Sequence, residues 1–281
     1  MQIKILAPLW GHEHLEYQAF LDKMRLACYD GFDTWIPREP FEKRLLFDYL
    51  QKHGMHIVTH QHEAEGNTFE AFKSSFKNNL YACAEPNPIL INSHTGRDYF
   101  SLEQNLQLID IALEFTAKTG TVVAHETHRG RVGYSPQMAA EIFAARKDFL
   151  ITADFSHWVC VTESMLENFT GILDEAILRS RHIHARIGFE QGPQVSDPRA
   201  PEWKYALDNF LGWWDKIIAY SMTSGTSVFP ITTEFGPLPY MPSIPFTNEP
   251  VANQFEINCY MKDLLRKRYS SSDVKSLLSA L

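Results

Sequence analysis

The sequence predicts an α/β protein, a single (β/α)8 barrel over residues 1–269 with a short extension, helical in its last part, over 270–281. Three observations lead there. A short β-branched run, a polar loop, an amphipathic helix and a closing Gly or turn recur eight times along the chain. These units average about 33 residues, close to one βα unit with its loops. No Gly-rich turn follows the first strand, where Trp10-Gly11-His12-Glu13-His14 stands, so nucleotide binding has no support. Strands alternating with helices imply a parallel sheet, and eight units favour closure over the open doubly wound alternative. Dividing 281 residues by about 150 per domain gives two, but an α/β barrel runs to about 250 residues as one domain.

Residues 3–9 form the first strand, and a helix over 15–29 is expected to stop at Gly31. Residues 32–36 make the second strand, and the helix over 41–53 is followed by Gly54. The third unit pairs a strand at 56–60 with a helix at 68–83, and the fourth a strand at 89–92 with a helix at 102–118, closed by Gly120. The fifth strand covers 121–125, and its helix opens at Ser135-Pro136, a capping residue before a proline whose missing N–H costs nothing in the first turn. Strand six at 150–153 leads to a helix at 163–178, and strand seven at 182–185 to one at 202–220. Strand eight spans 227–233, and the last helix covers 248–269. Between them, prolines at 237, 239, 242 and 245 predict a stiff loop over the barrel mouth.

Composition narrows the function. Hydrophobic residues make up 44%, enough for a sizeable core. The 34 acidic against 26 basic side chains give a net charge of -8, which argues against nucleic acid or an anionic membrane as the main partner. No run approaches the roughly 18 apolar residues of a membrane span. The apolar stretch near Met1 is too short for a signal peptide, and Cys28, Cys83, Cys160 and Cys259 lie far apart with no C-x-x-C pair. A cytoplasmic protein with reduced thiols is expected; a zinc ribbon and a disulfide scaffold are excluded.

Loops after the C-terminal ends of barrel strands build the active site. Strand three ends in His60-Gln61-His62 and strand four in Asn92-Ser93-His94. Strand five ends in His125-Glu126-Thr127-His128-Arg129, and strand six in Asp154-Phe155-Ser156-His157. Strand seven gives His182-Ile183-His184-Ala185-Arg186, and strand eight Thr233-Glu234. Any one of these is an ordinary structural residue by itself. With 12 histidines and 34 acids among 281 residues, six consecutive strand ends each carrying one is not ordinary. Glu126, Asp154, His184 and Glu234 each close an apolar run and are carried into the mouth. Three converging carboxylates repel one another unless a cation sits among them. Three carboxylates and an imidazole suit one divalent ion, Mn²⁺ best, with Zn²⁺, Mg²⁺ or Co²⁺ also fitting.

At these residues the sequence resembles the xylose isomerase-like barrel superfamily of sugar isomerases and ketose 3-epimerases, with endonuclease IV a more distant relative. The resemblance implies that Glu126, Asp154, His184 and Glu234 hold one metal, and that Asp154-Phe155-Ser156-His157 matches a D-x-x-H whose histidine contacts substrate. It implies an isomerase or epimerase of a sugar or sugar phosphate, working by proton abstraction next to a carbonyl through a metal-bound enediolate. Glu126 and Glu234 would be base and acid. His157 and Arg186 would anchor sugar oxygens, although Arg186 follows His184 at a shorter spacing than the family's arginine. His60 and His94 would line the site, Arg129 and Arg199 would hold a phosphate if the sugar carries one, and Trp10, Trp35 and Trp158 would offer ring faces to sugar C–H groups.

Three other functions compete. A zinc phosphodiesterase like endonuclease IV would use His60 and His94, but the third-site motif reads Asp197-Pro198-Arg199, and an arginine cannot ligate zinc. A dehydratase of a cyclic polyol or keto-inositol shares the first proton abstraction. A barrel that only binds a sugar needs neither metal nor turnover. The terminal helix predicted over 274–281 could pack on a second subunit, making a homodimer.

Overall fold

The computed structural model describes residues 1–270; the helix expected over 274–281 lies outside them. Eight parallel strands close in sequence order: β1 (Gln2–Pro8), β2 (Gly31–Thr34), β3 (His56–Gln61), β4 (Ile91–Ser93), β5 (Val123–Glu126), β6 (Ile151–Ala153), β7 (Ser180–His184) and β8 (Val228–Thr232). β8 closes on β1 in register from Gln2 beside Val228 to Leu6 beside Thr232. Helices α1 (Tyr17–Leu26), α2 (Pro40–His53), α3 (Phe69–Ala84), α4 (Leu102–Thr119), α5 (Pro136–Ala145), α6 (Phe155–Thr162), α7 (Thr170–Arg179), α8 (Lys204–Thr223) and α9 (Gln254–Arg268) follow the strands. The barrel expected from the eight-fold alternation is therefore the observed fold.

Local chemistry explains most boundaries. Ser101 accepts from the Gln104 backbone N–H while the Gln104 side chain accepts from Ser101, a capping box that starts α4. Gly54 and Gly120 end α2 and α4 at φ values of 61° and 77°, a region that side chains with a Cβ avoid. Inside the barrel, Leu6, Val58, Leu90 and Ala124 form a small apolar plug. A larger core lies under the helices, where Phe210, Trp214 and Ile217 of α8 are wholly buried.

Three boundaries differ from expectation. Gly31 does not stop the first helix, which ends at Leu26; Gly31 opens β2, where a Cβ would lie 2.0 Å from the His56 carbonyl oxygen. The helix expected over 163–178 begins only at Thr170, and a separate helix capped by Asp154 occupies Phe155–Thr162 directly after β6. The last helix starts at Gln254 rather than 248. No helix among the described residues is long and apolar enough to cross a membrane.

His12, just after β1, is 4% exposed between rings of Phe20 and Phe255, each 5.9 Å away, and its Nδ1 has no hydrogen-bond partner. Burial first, then Lys23 and His14, push this imidazole down to about 4. The unfolded chain, with a pKa near about 6.5, then binds more protons than the fold. Its contribution to stability is complete above about pH 6.5 and is lost as the pH falls toward about 4. His12→Leu should flatten the decline of Tm over that window, and a curve parallel to the wild type's would refute the assignment.

Candidate metal centre

Glu126 ends β5, Asp154 follows β6, His184 ends β7 and Glu234 lies just past β8. Parallel closure brings these four ends to one mouth. They are 1%, 0%, 1% and 9% exposed, and one ligand atom from each lies within 4.8 Å of the others. The convergence expected from the sequence is thus present in the fold.

Glu126 Oε2 accepts from Asn92 Nδ2 at 2.8 Å and lies 3.0 Å from His94 Nε2. Burial would raise its pKa, but His94 and His184 outweigh burial and hold the carboxyl well below the ordinary range. Burial likewise opposes charge on His184, and Glu234 and Glu126 reverse the sign, holding its pKa well above that of a free imidazole. His184 Nδ1 lies 2.7 Å from Glu234 Oε2, yet neither buried atom has a hydrogen-bond partner. Two lone-pair donors this close, out of hydrogen-bonding alignment, are what ligands to a shared cation look like, so the donor set fits a divalent ion.

Asp154 brings a partner of its own. One oxygen accepts from the Ser156 backbone N–H and hydroxyl, capping α6, and the other is ion-paired with Arg186. Arg186 is 2% exposed, also donates to His157 Nε2 at 2.9 Å, and lies 4.8 Å from the Tyr240 ring centre and 5.8 Å from that of Trp10.

Above the four lies a cavity of about 370 Å³. Trp10, Trp35 and Tyr240 supply apolar wall; His60, His62, His94, His128 and Arg186 supply polar wall; Glu13, Asp33, Glu126 and Glu234 make it acidic. Trp10 is seated against Gly236, where any Cβ would meet its ring at 2.1 Å. His60, His94 and Glu126 form a second set with ligand atoms within 4.8 Å, and Glu126, His128 and His157 a third.

Several expected contacts move. Trp158 is completely buried and donates its indole N–H to the Gly133 carbonyl, so it shows no face to the cavity. Arg199 is bound to Asp197 in an exposed pair and is absent from the wall. Arg129 lies beside the wall, 3.4 Å from the Tyr240 hydroxyl and 3.8 Å from Cys160 Sγ. His157 is fully buried with Nε2 taken by Arg186, and is not on the wall either. Trp10, His60, His94 and Arg186 are on it. Of the histidines flanking Glu126, His125 stacks on Phe149 at 4.5 Å and His128 lines the cavity. Glu13, Asp33 and Tyr240 were not among the sequence candidates, and His62 and His128 were named there only as strand-end histidines without a role. Only strand alternation could have signalled Asp33, which is two residues from the glycine that opens β2.

No protein-family model matches the chain, and no curated protein matches it. Solved structures do. A D-tagatose 3-epimerase-like protein superposes with a TM-score of 0.66 at 14% identity, over 98% of this chain and 99% of that one. A 3-keto-D-glucoside 4-epimerase from E. coli gives 0.60 at 12%, over 95% and 100%. An endonuclease IV from Thermus thermophilus gives 0.56 at 13%, over 100% of both chains. Superposition over the whole chain shows that the protein shares the (β/α)8 barrel fold of these proteins.

Proposed function

We propose that the protein is a divalent-cation-dependent isomerase or epimerase of an unphosphorylated sugar. The observation that carries this reading is the buried cluster of Glu126, Asp154, His184 and Glu234 under a cavity walled by Trp10, Trp35 and Tyr240. When bound there, a divalent cation, Mn²⁺ by preference, polarises a carbonyl and makes the neighbouring C–H more acidic. Glu126 and Glu234 stand on separate strands and so can act on different sides of a substrate. One removes the proton from the carbon beside the carbonyl, leaving an enediolate. The other returns a proton, to the opposite face for epimerisation or to the adjacent carbon for isomerisation. Asn92 and His94 hold Glu126 in place.

The missing phosphate follows from charge. The wall carries four carboxylates, and its one guanidinium, Arg186, is committed to Asp154. A phosphate dianion would enter against that field, and the wall itself offers it no uncommitted guanidinium. Elemental analysis with a panel of neutral and phosphorylated sugars tests the reading. One cation per chain and at least about tenfold higher kcat/KM for a neutral sugar, about 1.4 kcal/mol of discrimination, are expected. Preference for a sugar phosphate would sink the charge argument, and a chain that retains no cation would sink the whole reading.

A second reading, a zinc phosphodiesterase, is favoured by the set of His60, His94 and Glu126. It requires more than one zinc per chain and cleavage of a phosphodiester, which the same metal analysis and a labelled DNA substrate would reveal.

A further inference from the structure

We propose that Asp33 is a positioning residue for His184, holding the hydrogen on Nε2 so that Nδ1 is directed at the cation. The proposal rests on the cation reading above. Asp33 sits on β2 and His184 on β7, 151 positions apart, yet Asp33 Oδ2 lies 3.0 Å from His184 Nε2. The same oxygen accepts from Thr232 Oγ1 at 2.9 Å, and Thr232 Oγ1 lies 2.8 Å from His182 Nε2. His182, Thr232 and His184 thus converge on one buried carboxylate, 6% exposed, from two neighbouring strands.

The geometry settles which ring nitrogen carries the hydrogen. Asn92 Nδ2 is 3.4 Å from His184 Nε2, a longer contact than the 2.8 Å bond by which the same amide donates to Glu126. Asp33 Oδ2 is nearer and can only accept, so Nε2 donates to it. That leaves Nδ1 beside Glu234 Oε2 at 2.7 Å and Glu126 Oε2 at 3.6 Å, the atoms among which a cation would sit. A carboxylate on the far nitrogen of a ligating imidazole fixes its tautomer and ring angle and makes the near nitrogen more basic. Asp33 Oδ1 is buried without a partner, so the contacts of this carboxylate are those of Oδ2, with His184 and Thr232.

The test is Mn²⁺ titration of chelator-stripped protein by calorimetry, with ¹⁵N-detected imidazole spectra of the same samples. Asp33→Ala should weaken Mn²⁺ binding by about 10–100-fold. Asp33→Asn keeps one acceptor oxygen, so its affinity should fall between those of Asp33→Ala and the wild type. The His184 Nε2–H resonance, assigned with His184→Gln, should lose its strong-hydrogen-bond shift in the Ala variant and keep part of it in the Asn variant. Affinity within twofold of wild type in both variants, or an unmoved Nε2–H resonance, overturns the proposal while leaving the cation reading intact. If the Ala variant does not fold, an Asn variant with wild-type affinity and an unmoved resonance overturns it alone. Wild-type protein that takes up no Mn²⁺ overturns the cation reading and this proposal with it.

Discussion

Glu126→Gln should lower turnover of the preferred sugar by about 10³-fold or more, the scale of a lost general base or acid, while leaving the fold intact. Glu126 is 1% exposed, and the partners that hold it, Asn92 and His94, meet Oε2. A glutamine carbonyl can take over that position and keep both contacts, so Tm should stay within a few degrees of wild type. The neutral carbonyl then left at the Oε2 place, beside His184 Nδ1, attracts a cation less strongly than the carboxylate oxygen it replaces. Cation content should drop together with kcat. Glu234→Gln should lose turnover comparably, with Glu126, Asp154 and His184 left to hold the cation. The decisive measurements are kcat, KM and metal stoichiometry in both variants. Wild-type turnover in either one removes that glutamate from the chemistry, and unchanged metal content in Glu126→Gln removes Glu126 from the ligand set.

Why the convergence of these four side chains was legible in the sequence, and their surroundings were not, follows from what a parallel barrel imposes. Glu126, Asp154, His184 and Glu234 each terminate a buried strand, and strand ends of a closed parallel sheet have only one place to go. Pairing between side chains leaves no such trace. Arg186 and Asp154 are 32 positions apart, and nothing in either segment announces that the arginine is committed to the carboxylate before any substrate arrives. Trp158 was misplaced for a local reason. Asp154 caps α6 directly, so the residues after β6 are helical, and the turn that buries His157 carries Trp158 into the core. Asp33 was missed because it lies inside its strand, before Thr34, outside the apolar-run-then-ligand pattern that marks strands three to eight. Arg199 was given a role by residue type alone, and an exposed loop let it pair with Asp197 two residues away.

The second large effect concerns stability. Asp154→Ala removes the carboxylate from a guanidinium that is 2% exposed and leaves it among Ser156, His157 and Glu234, the last at 3.7 Å. Breaking a buried pair from one side costs about 3–5 kcal/mol, and losing the cap of α6 adds about 1 kcal/mol. At roughly 2–4 °C per kcal/mol for a domain of this order of size, Tm should fall by about 8–24 °C. Arg186→Met leaves the opposite defect, Asp154 without its guanidinium beside Glu126 and Glu234, and a divalent ion can neutralise those carboxylates but not a stranded arginine. Added Mn²⁺ should therefore raise the Tm of Arg186→Met by more than it raises the wild type's, and should leave Asp154→Ala close to its metal-free value. The double variant Asp154→Ala/Arg186→Met should be more stable than Asp154→Ala, since it strands no arginine. Melting the three variants and the wild type with and without Mn²⁺ separates the two roles of Asp154. If the two single changes add in the double variant, Arg186 is not the counter-ion of Asp154. If Mn²⁺ stabilises Asp154→Ala as much as wild type, Asp154 is not a ligand.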